Sequence, residues 1–262
     1  MNRILIDKAN VIEEKVSNNI EIIKVFDKKI LKVIVNVLKD SDLEIEYLID
    51  NNKIDIEFNI SSNVIFNLFE YKRGTNGNIQ YTYNLAEYSD VNINKFGYIN
   101  CNKEFIITNL NGYKAKFDYN FKSISTNNEE YDIIVRHNYK ETISEIKNNS
   151  VCLNDGKVYF QVSGYVDNGI KNCIINQSNH IINLTNNKCE IRPNLYINEY
   201  DTIANHSALI GGFNNDELFY MQSRGISLVE AKKLLIKGFL LSNLNNKKMI
   251  KKVSDIIKEY WR

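Results

Sequence analysis

From about Ile20 to Ile210, apolar and polar residues alternate with a period of two, in short runs rich in Ile, Val, Tyr, Phe and Thr. That period places every second side chain on one face, as in half-buried strands. Clear runs are Lys53–Ile60 and residues 79–83, 104–108, 113–119, 132–135 and 158–162. They are bounded by Asn-Asn, Asn-Gly or Asp-Gly pairs that tolerate turn geometry. Apolar clusters in the second half recur roughly every 20 residues, which suits one coil of a parallel β-helix. The lone proline, Pro193, is scarce for a sandwich, where proline is common in loops and at edges. The periodicity predicts an all-β body and leaves sandwich and β-helix both open. Asparagine pairs such as Asn18-Asn19, Asn127-Asn128 and Asn186-Asn187 are too frequent for all to be turns.

The period changes after Gly212. Asn215-Asp216-Glu217 opens a helical stretch through about Arg224, and Gly225 supplies a left-handed stop. Ser227 stands three residues before Glu230, a capping box. Ala231, Leu234, Leu235, Gly238 and Phe239 then fall at helical spacing on one face. Asn243 to Asn246 breaks that helix. A final amphipathic helix carries Met249, Ile250, Val253, Ile256, Ile257 and Trp261 on its apolar stripe, with Lys247, Lys248, Lys251, Lys252 and Lys258 on a solvated face.

Composition narrows the function more than the fold. At 262 residues and 44% apolar content the chain has room for one large domain or two small ones. Lys and Arg number 33 against 32 Asp and Glu, a net charge of +1, so no overall field draws in nucleic acid or anionic membrane. The longest apolar runs, near Ile30 to Leu38 and Leu234 to Leu241, fall well short of the roughly 20 residues that span a bilayer. The first ten residues lack the apolar core of a secretory signal, and a cytoplasmic location is expected. Cys101, Cys152, Cys173 and Cys189 form no C-x-x-C pair, so neither a closed zinc site nor a disulfide framework is expected. The spacing of Cys152 and Cys173 is close to one coil and would stack them on neighbouring turns. No G-x-x-x-x-G-K-[ST] loop is present to cradle phosphates.

Three motifs occur in order: Pro193-Asn-Leu-Tyr-Ile-Asn-Glu-Tyr-Asp201, Asn205-His206-Ser-Ala-Leu-Ile-Gly211, and Asp216-Glu-Leu-Phe-Tyr-Met-Gln-Ser-Arg-Gly-Ile226, followed by Ala231 and Gly238-Phe239. Together they resemble the C-terminal core of the SufB/SufD family of iron–sulfur cluster assembly scaffolds. Upstream, His137, Thr142, Ser144, Gly164 and Gln177 resemble family positions more weakly, and the N-terminal helical region of larger relatives is expected to be trimmed. The resemblance implies a right-handed parallel β-helix over residues 1–213, with a short N-terminal region, and a small helical C-terminal segment over 214–262. It implies a non-catalytic scaffold carrying a transient iron–sulfur cluster. Such a chain would pair with itself or with a SufB-like subunit and bind a separate SufC-like ABC ATPase.

Residue by residue, the resemblance makes His206 a candidate cluster ligand near an interface between two β-helix subunits. A neutral imidazole can ligate iron. Gln177, Ser178 and Ser207 fall in the vicinity of that site. SufB has cysteine where Ser178 stands and Glu where Ser207 stands, and a hydroxyl is a poor soft ligand, so the chain is closer to SufD there. Cys189, just before Pro193, is a second candidate ligand. Leu218, Phe219, Tyr220, Arg224, Leu234, Leu235 and Phe239 are the expected ATPase contact. The alternative is a purely structural subunit that ligates nothing. Glu199 and Asp201 could be paired carboxylates of a polysaccharide-active β-helix enzyme, but the motif accounts for them without that role.

Overall fold

The computed structural model describes residues 2–8, 10–27, 30–242, 244 and 246–260. Among them the strands are β1 (Asn2–Asp7), β2 (Asn10–Lys15), β3 (Ile20–Asp27), β4 (Ile30–Val37), β5 (Ser41–Asp50), β6 (Lys53–Ile60), β7 (Ile65–Leu85) and β8 (Asp90–Leu110). They continue with β9 (Lys116–Ser125), β10 (Asn128–His137), β11 (Ile143–Cys152), β12 (Lys157–Val166), β13 (Cys173–Asn183), β14 (Glu190–Ile197) and β15 (Thr202–Gly211). The helices are α1 (Asn215–Ser223), α2 (Leu228–Leu241) and α3 (Lys247–Tyr260).

Two parallel ladders run the length of the body. One stacks β1, β5, the first parts of β7 and β8, β9, β11, β13 and β15. The other stacks β4, β6, the later parts of β7 and β8, β10, β12 and β14. The chain crosses between the ladders in each coil, which makes a parallel β-solenoid of about 7 turns and rules out the sandwich. At the N-terminal end, β2 and β3 lie antiparallel to β1 and β4.

The coils are longer than the apolar clusters suggest. Stacked positions are 23 residues apart at Asn36 and Asn59, 25 at Asn59 and Asn84, 27 at Ser123 and Ser150 and 31 at Asn148 and Asn179. Two coils hide their corners, because β7 and β8 are each 21 residues long and turn without leaving the sheet. In β7 the bend falls at Gly74, where a φ of +133° and the 1.9 Å that would separate an added Cβ from Ile49 O exclude a side chain. The following Asn76-Gly77 pair therefore bends a strand rather than ending it.

Asparagines stack from coil to coil. The Asn59 amide donates to Asn36 at 3.1 Å, Asn84 to Asn59 at 2.9 Å and Asn109 to Asn84 at 2.9 Å. These ladders absorb part of the asparagine excess that turns leave unexplained. Inside, alternate residues pile rings on rings: Phe58 on Tyr83 with centroids 4.9 Å apart, Phe121 on Tyr131 at 4.6 Å and Tyr131 on Phe160 at 5.3 Å. Truncating one such buried ring to alanine costs about 3–5 kcal/mol.

Two of the capping signals act as expected: Ser227 accepts from the Glu230 N–H, and Gly225 takes a φ of +82°. The cap of α1 is Asn214, which accepts from the Asp216 N–H. Helices α2 and α3 fold back on the flank of the solenoid, where Ile236, Leu240, Met249, Val253, Ile256 and Ile257 join a cluster with Phe96, Ile124, Val151 and Ile182. The stripe of α2 is rotated from expectation: Ala231, Ile236 and Leu240 are buried, while Leu234 is 42% exposed. Two lysines of the polar face pair with β5, Lys248 with Glu44 at 3.0 Å while staying exposed and Lys252, half-buried, with Glu46 at 2.9 Å. Trp261, Asn243 and Asn245 lie outside the described residues. Among the described residues no helix is long and apolar enough to cross a membrane.

Candidate functional site

The C-terminal end of the solenoid is open. Strand β15 is paired only with β13, and β14 only with β12. Register stacks His206 on Gln177 and Ser207 on Ser178. Since side chains in strands alternate faces, the buried Gln177 and the exposed Ser178 identify the two sides. His206 is therefore on the interior side, where no further coil covers it, and its residue is exposed. Ser178 and Ser207 share the opposite face. The four vicinity residues thus divide into two pairs back to back.

Gln177 is held from below. Its Nε2 donates to Asn194 O at 3.3 Å, and Asn194 in turn donates to Ser163 Oγ at 3.3 Å. Gly164 leaves room for it, since a Cβ there would lie 3.3 Å from Gln177 Nε2. The other amide atom, Oε1, is buried without a hydrogen-bond partner, so an unsatisfied acceptor sits directly beneath the His206 layer. Asn179, two residues along β13 on the same side, donates to Ser207 O at 3.4 Å.

Glu199 and Asp201 have a local task. Glu199 accepts from the Gly169 N–H at 2.8 Å and the Asp201 N–H at 3.2 Å, and these donors hold its carboxyl below the ordinary range. Asp201 pairs with Lys171 at 3.0 Å. Both acids tie the turn before β15 to the coil beneath, which leaves the glycosidase reading without a free pair of carboxylates.

Cys189 does not reach His206. Its Sγ lies 3.5 Å from Cys152 Sγ, and Cys152 is level with Asn183, six positions along the ladder from the Gln177–His206 pair. At about 3.3 Å per residue the separation is roughly 20 Å. Hydrogen bonding from Cys152, the Val158 N–H and nearby Lys157 draw the Cys189 thiol down to about 6, while Cys152 is pushed up by that same contact and by burial. Cys173 is not stacked on Cys152. It stands at the start of β13, level with Thr202, with its sulfur 3.3 Å from Thr142 Oγ1. The expectation of stacking fails because that coil is 31 residues long rather than about 20. His137 is buried between Thr142 Oγ1 at 2.7 Å and Ser144 Oγ at 2.9 Å, and burial pushes it down to about 3, so it is neutral.

An ionic cluster in the middle coils is absent from the sequence expectations. Glu70, Lys72, Lys95, Glu104 and Glu129 are all essentially inaccessible. Lys72 pairs with Glu104, and Lys95 lies 2.8 Å from Glu104 and 3.3 Å from Glu70. Tyr47 donates to Glu70 at 2.7 Å, Asn102 to Glu104 at 2.6 Å and Tyr131 to Glu129 at 2.7 Å. The Lys95 ammonium sits 3.5 Å from the Tyr81 ring centroid. Burial lowers both lysines and raises Glu129 to about 8. Glu129 thus stays protonated near neutral pH. Parity was the available signal: Glu70 and Lys72 share a face with Phe66 and Leu68.

The helical candidates also separate. Phe219 is 73% and Tyr220 59% exposed, the Arg224 guanidinium lies 5.3 Å over the Tyr220 ring, and Leu218 and Leu235 are half-buried. Phe239 turns inward and meets His180 edge-on at 4.8 Å. Leu228 and Val229, not singled out by the pattern, extend the exposed apolar surface beside Leu234.

The family model described as "SUF system FeS cluster assembly, SufBD core domain" matches residues 75–239. The iron–sulfur cluster assembly protein SufD of Bacillus subtilis (strain 168) is 28% identical over 118 residues, 45% of this chain and 27% of the relative. SufD of Escherichia coli (strain K12) is 24% identical over 144 residues, 50% of this chain and 32% of the relative. The SufBD family protein ML0594 of Mycobacterium leprae (strain TN) is 42% identical over 48 residues, 18% of this chain and 12% of the relative. The matched stretches therefore span a third or less of these relatives.

Proposed function

This chain belongs to the SufBD core family of the SUF iron–sulfur cluster assembly system, and on that premise we propose that it is a non-catalytic scaffold subunit whose open solenoid end meets a second subunit. The partner is an identical chain or a SufB-like paralogue, and the cluster is a transient cargo at the junction. A separate SufC-like ABC ATPase docks on α1 and α2. The observation that carries this reading is His206: an exposed imidazole on the last strand, facing the uncovered end over Gln177.

Among the described residues no three His, Cys, Asp or Glu side chains converge to hold a metal ion. In this reading the chain contributes His206 and the partner completes the ligand set. Anaerobic reconstitution of the complex with iron and sulfide tests it. His206→Ala should reduce the charge-transfer absorption and the transfer to an apo-acceptor at least several-fold; unchanged values remove His206 from the reaction. On the helical side, Leu234→Asp should weaken ATPase binding by tenfold or more, as measured by calorimetry, and undiminished affinity refutes that docking face.

Ser178 and Ser207 favour a second reading, a structural subunit that touches no metal, because they bring hydroxyls where SufB has softer or charged groups. It predicts that His206→Ala leaves assembly intact while Leu234→Asp still releases the ATPase.

A further inference from the structure

We propose that Cys152 and Cys189 form a redox site, a buried dithiol that a hydroperoxide converts into an intramolecular disulfide joining the end of β11 to the residue just before β14. The two sulfurs are 3.5 Å apart, and a disulfide bond of about 2.0 Å needs an approach of about 1.5 Å, within the reach of a side-chain rotation. The approach is built by the backbone around it. Thr185 Oγ1 donates to Gly156 O at 3.2 Å, Asn187 Nδ2 donates to Asp155 O at 2.9 Å, and Asn183 Nδ2 donates to Asn187 O at 2.9 Å. These bonds fasten the connection between β13 and β14 onto the turn of the coil before it, which sets Cys189 over Cys152. Gly156 is required there, since a Cβ would fall 2.3 Å from Ser125 O. No third ligating side chain joins the pair among the described residues, so the arrangement suits a two-sulfur bond better than a tetrahedral metal site.

The two thiols are unequal. Cys189 is 7% exposed and Cys152 not at all, so Cys189 meets the oxidant and Cys152 resolves it. The Cys189 thiolate attacks the outer oxygen of hydrogen peroxide, which breaks the O–O bond and yields a sulfenic acid and hydroxide. Cys152 sulfur then attacks Cys189 sulfur, hydroxide leaves from the sulfenic acid, and the Cys152 proton and one further proton complete two waters. The two sulfurs are oxidised by two electrons in total, and the peroxide is reduced by the same two.

The test uses the full chain under native conditions, treated with hydrogen peroxide, alkylated, and digested without reductant for peptide mapping by mass spectrometry. The expected result is a Cys152–Cys189 cross-linked peptide pair that dithiothreitol separates, with the titratable thiols falling from four to two. In Cys152→Ser, dimedone should trap a sulfenic acid at Cys189. In Cys189→Ser, Cys152 should remain a free thiol after the same exposure. The proposal fails if all four thiols alkylate after oxidation, if Cys189 pairs with another cysteine, or if it advances to sulfinic acid in the unsubstituted chain without cross-linking. None of these outcomes depends on whether His206 binds a cluster.

Discussion

The two ends of the solenoid are finished differently. At the N-terminal end, β2 and β3 run antiparallel to the first coil, and a Lys24–Glu14 ion pair of 2.7 Å bridges them. Charges on short edge strands discourage pairing with another chain. At the other end, β15 reads Thr-Ile-Ala-Asn-His-Ser-Ala-Leu-Ile-Gly, with no Lys, Arg, Asp or Glu, and most of its residues are exposed. An uncharged, extended, parallel edge is a template for strand addition. The contrast teaches that an edge strand is assigned by what it leaves out: β2 and β3 carry charge, and β15, the strand proposed to pair, carries none.

Substitutions can break or sharpen that contrast, and the largest effect is expected where the chain is closed. His137 and His206 are the same side chain in a covered and an uncovered coil. His137→Ala takes the Ser144 hydroxyl's partner and one of Thr142's, opens a cavity, and should cost about 3 kcal/mol in a denaturant titration. His206→Ala should change stability by less than about 0.5 kcal/mol, as expected of an exposed site. Equal losses would mean that the C-terminal end is not open.

A smaller effect concerns the interior charges. Glu129 is raised from 4.5 to about 8 in the folded chain, so between those values the folded state holds a proton that the unfolded state has lost. Stability then falls as pH rises through that window. Glu129→Gln cannot titrate, and from pH 5 to about pH 6.5 it should gain about 2 kcal/mol relative to the unsubstituted protein. Parallel stability curves for the two would show that Glu129 is ionised throughout. The smallest effect in free energy is at the edge itself. Leu209→Lys should weaken subunit association about tenfold, about 1.4 kcal/mol, by analytical ultracentrifugation, whereas Ile23→Lys on β3 should leave it unchanged. Loss of association in both would cancel the distinction between the ends.

The sequence carried the strand period and the helix caps clearly, because both are local. It did not carry the coil length, because the corners inside β7 and β8 keep their extended pairing and carry one glycine at a bend instead of a turn. The buried ions were hidden by type: Lys72 and Lys95 look like solvated residues until the parity of their strands is followed through Phe66, Leu68, Val91 and Ile93. The site divided along the same line. His206 and the exposed Phe219 and Tyr220 were marked by motif, while the contact of Cys152 with Cys189 depends on a loop that only the stacked turn at Asp155 and Gly156 positions.

The folded-back helices have a mechanical consequence. Lys248 and Lys252 grip β5, Ser242 accepts from Lys122 of β9 at 3.1 Å, and Phe239 meets His180 of β13. From β5 to β13 the ladder climbs five strand steps, about 24 Å at about 4.8 Å per step. A 14-residue helix is about 21 Å long. The α2–α3 pair is thus a splint nearly as long as the stretch of rod it braces, and a pull applied at α1 is shared by six coils rather than peeling the last one away.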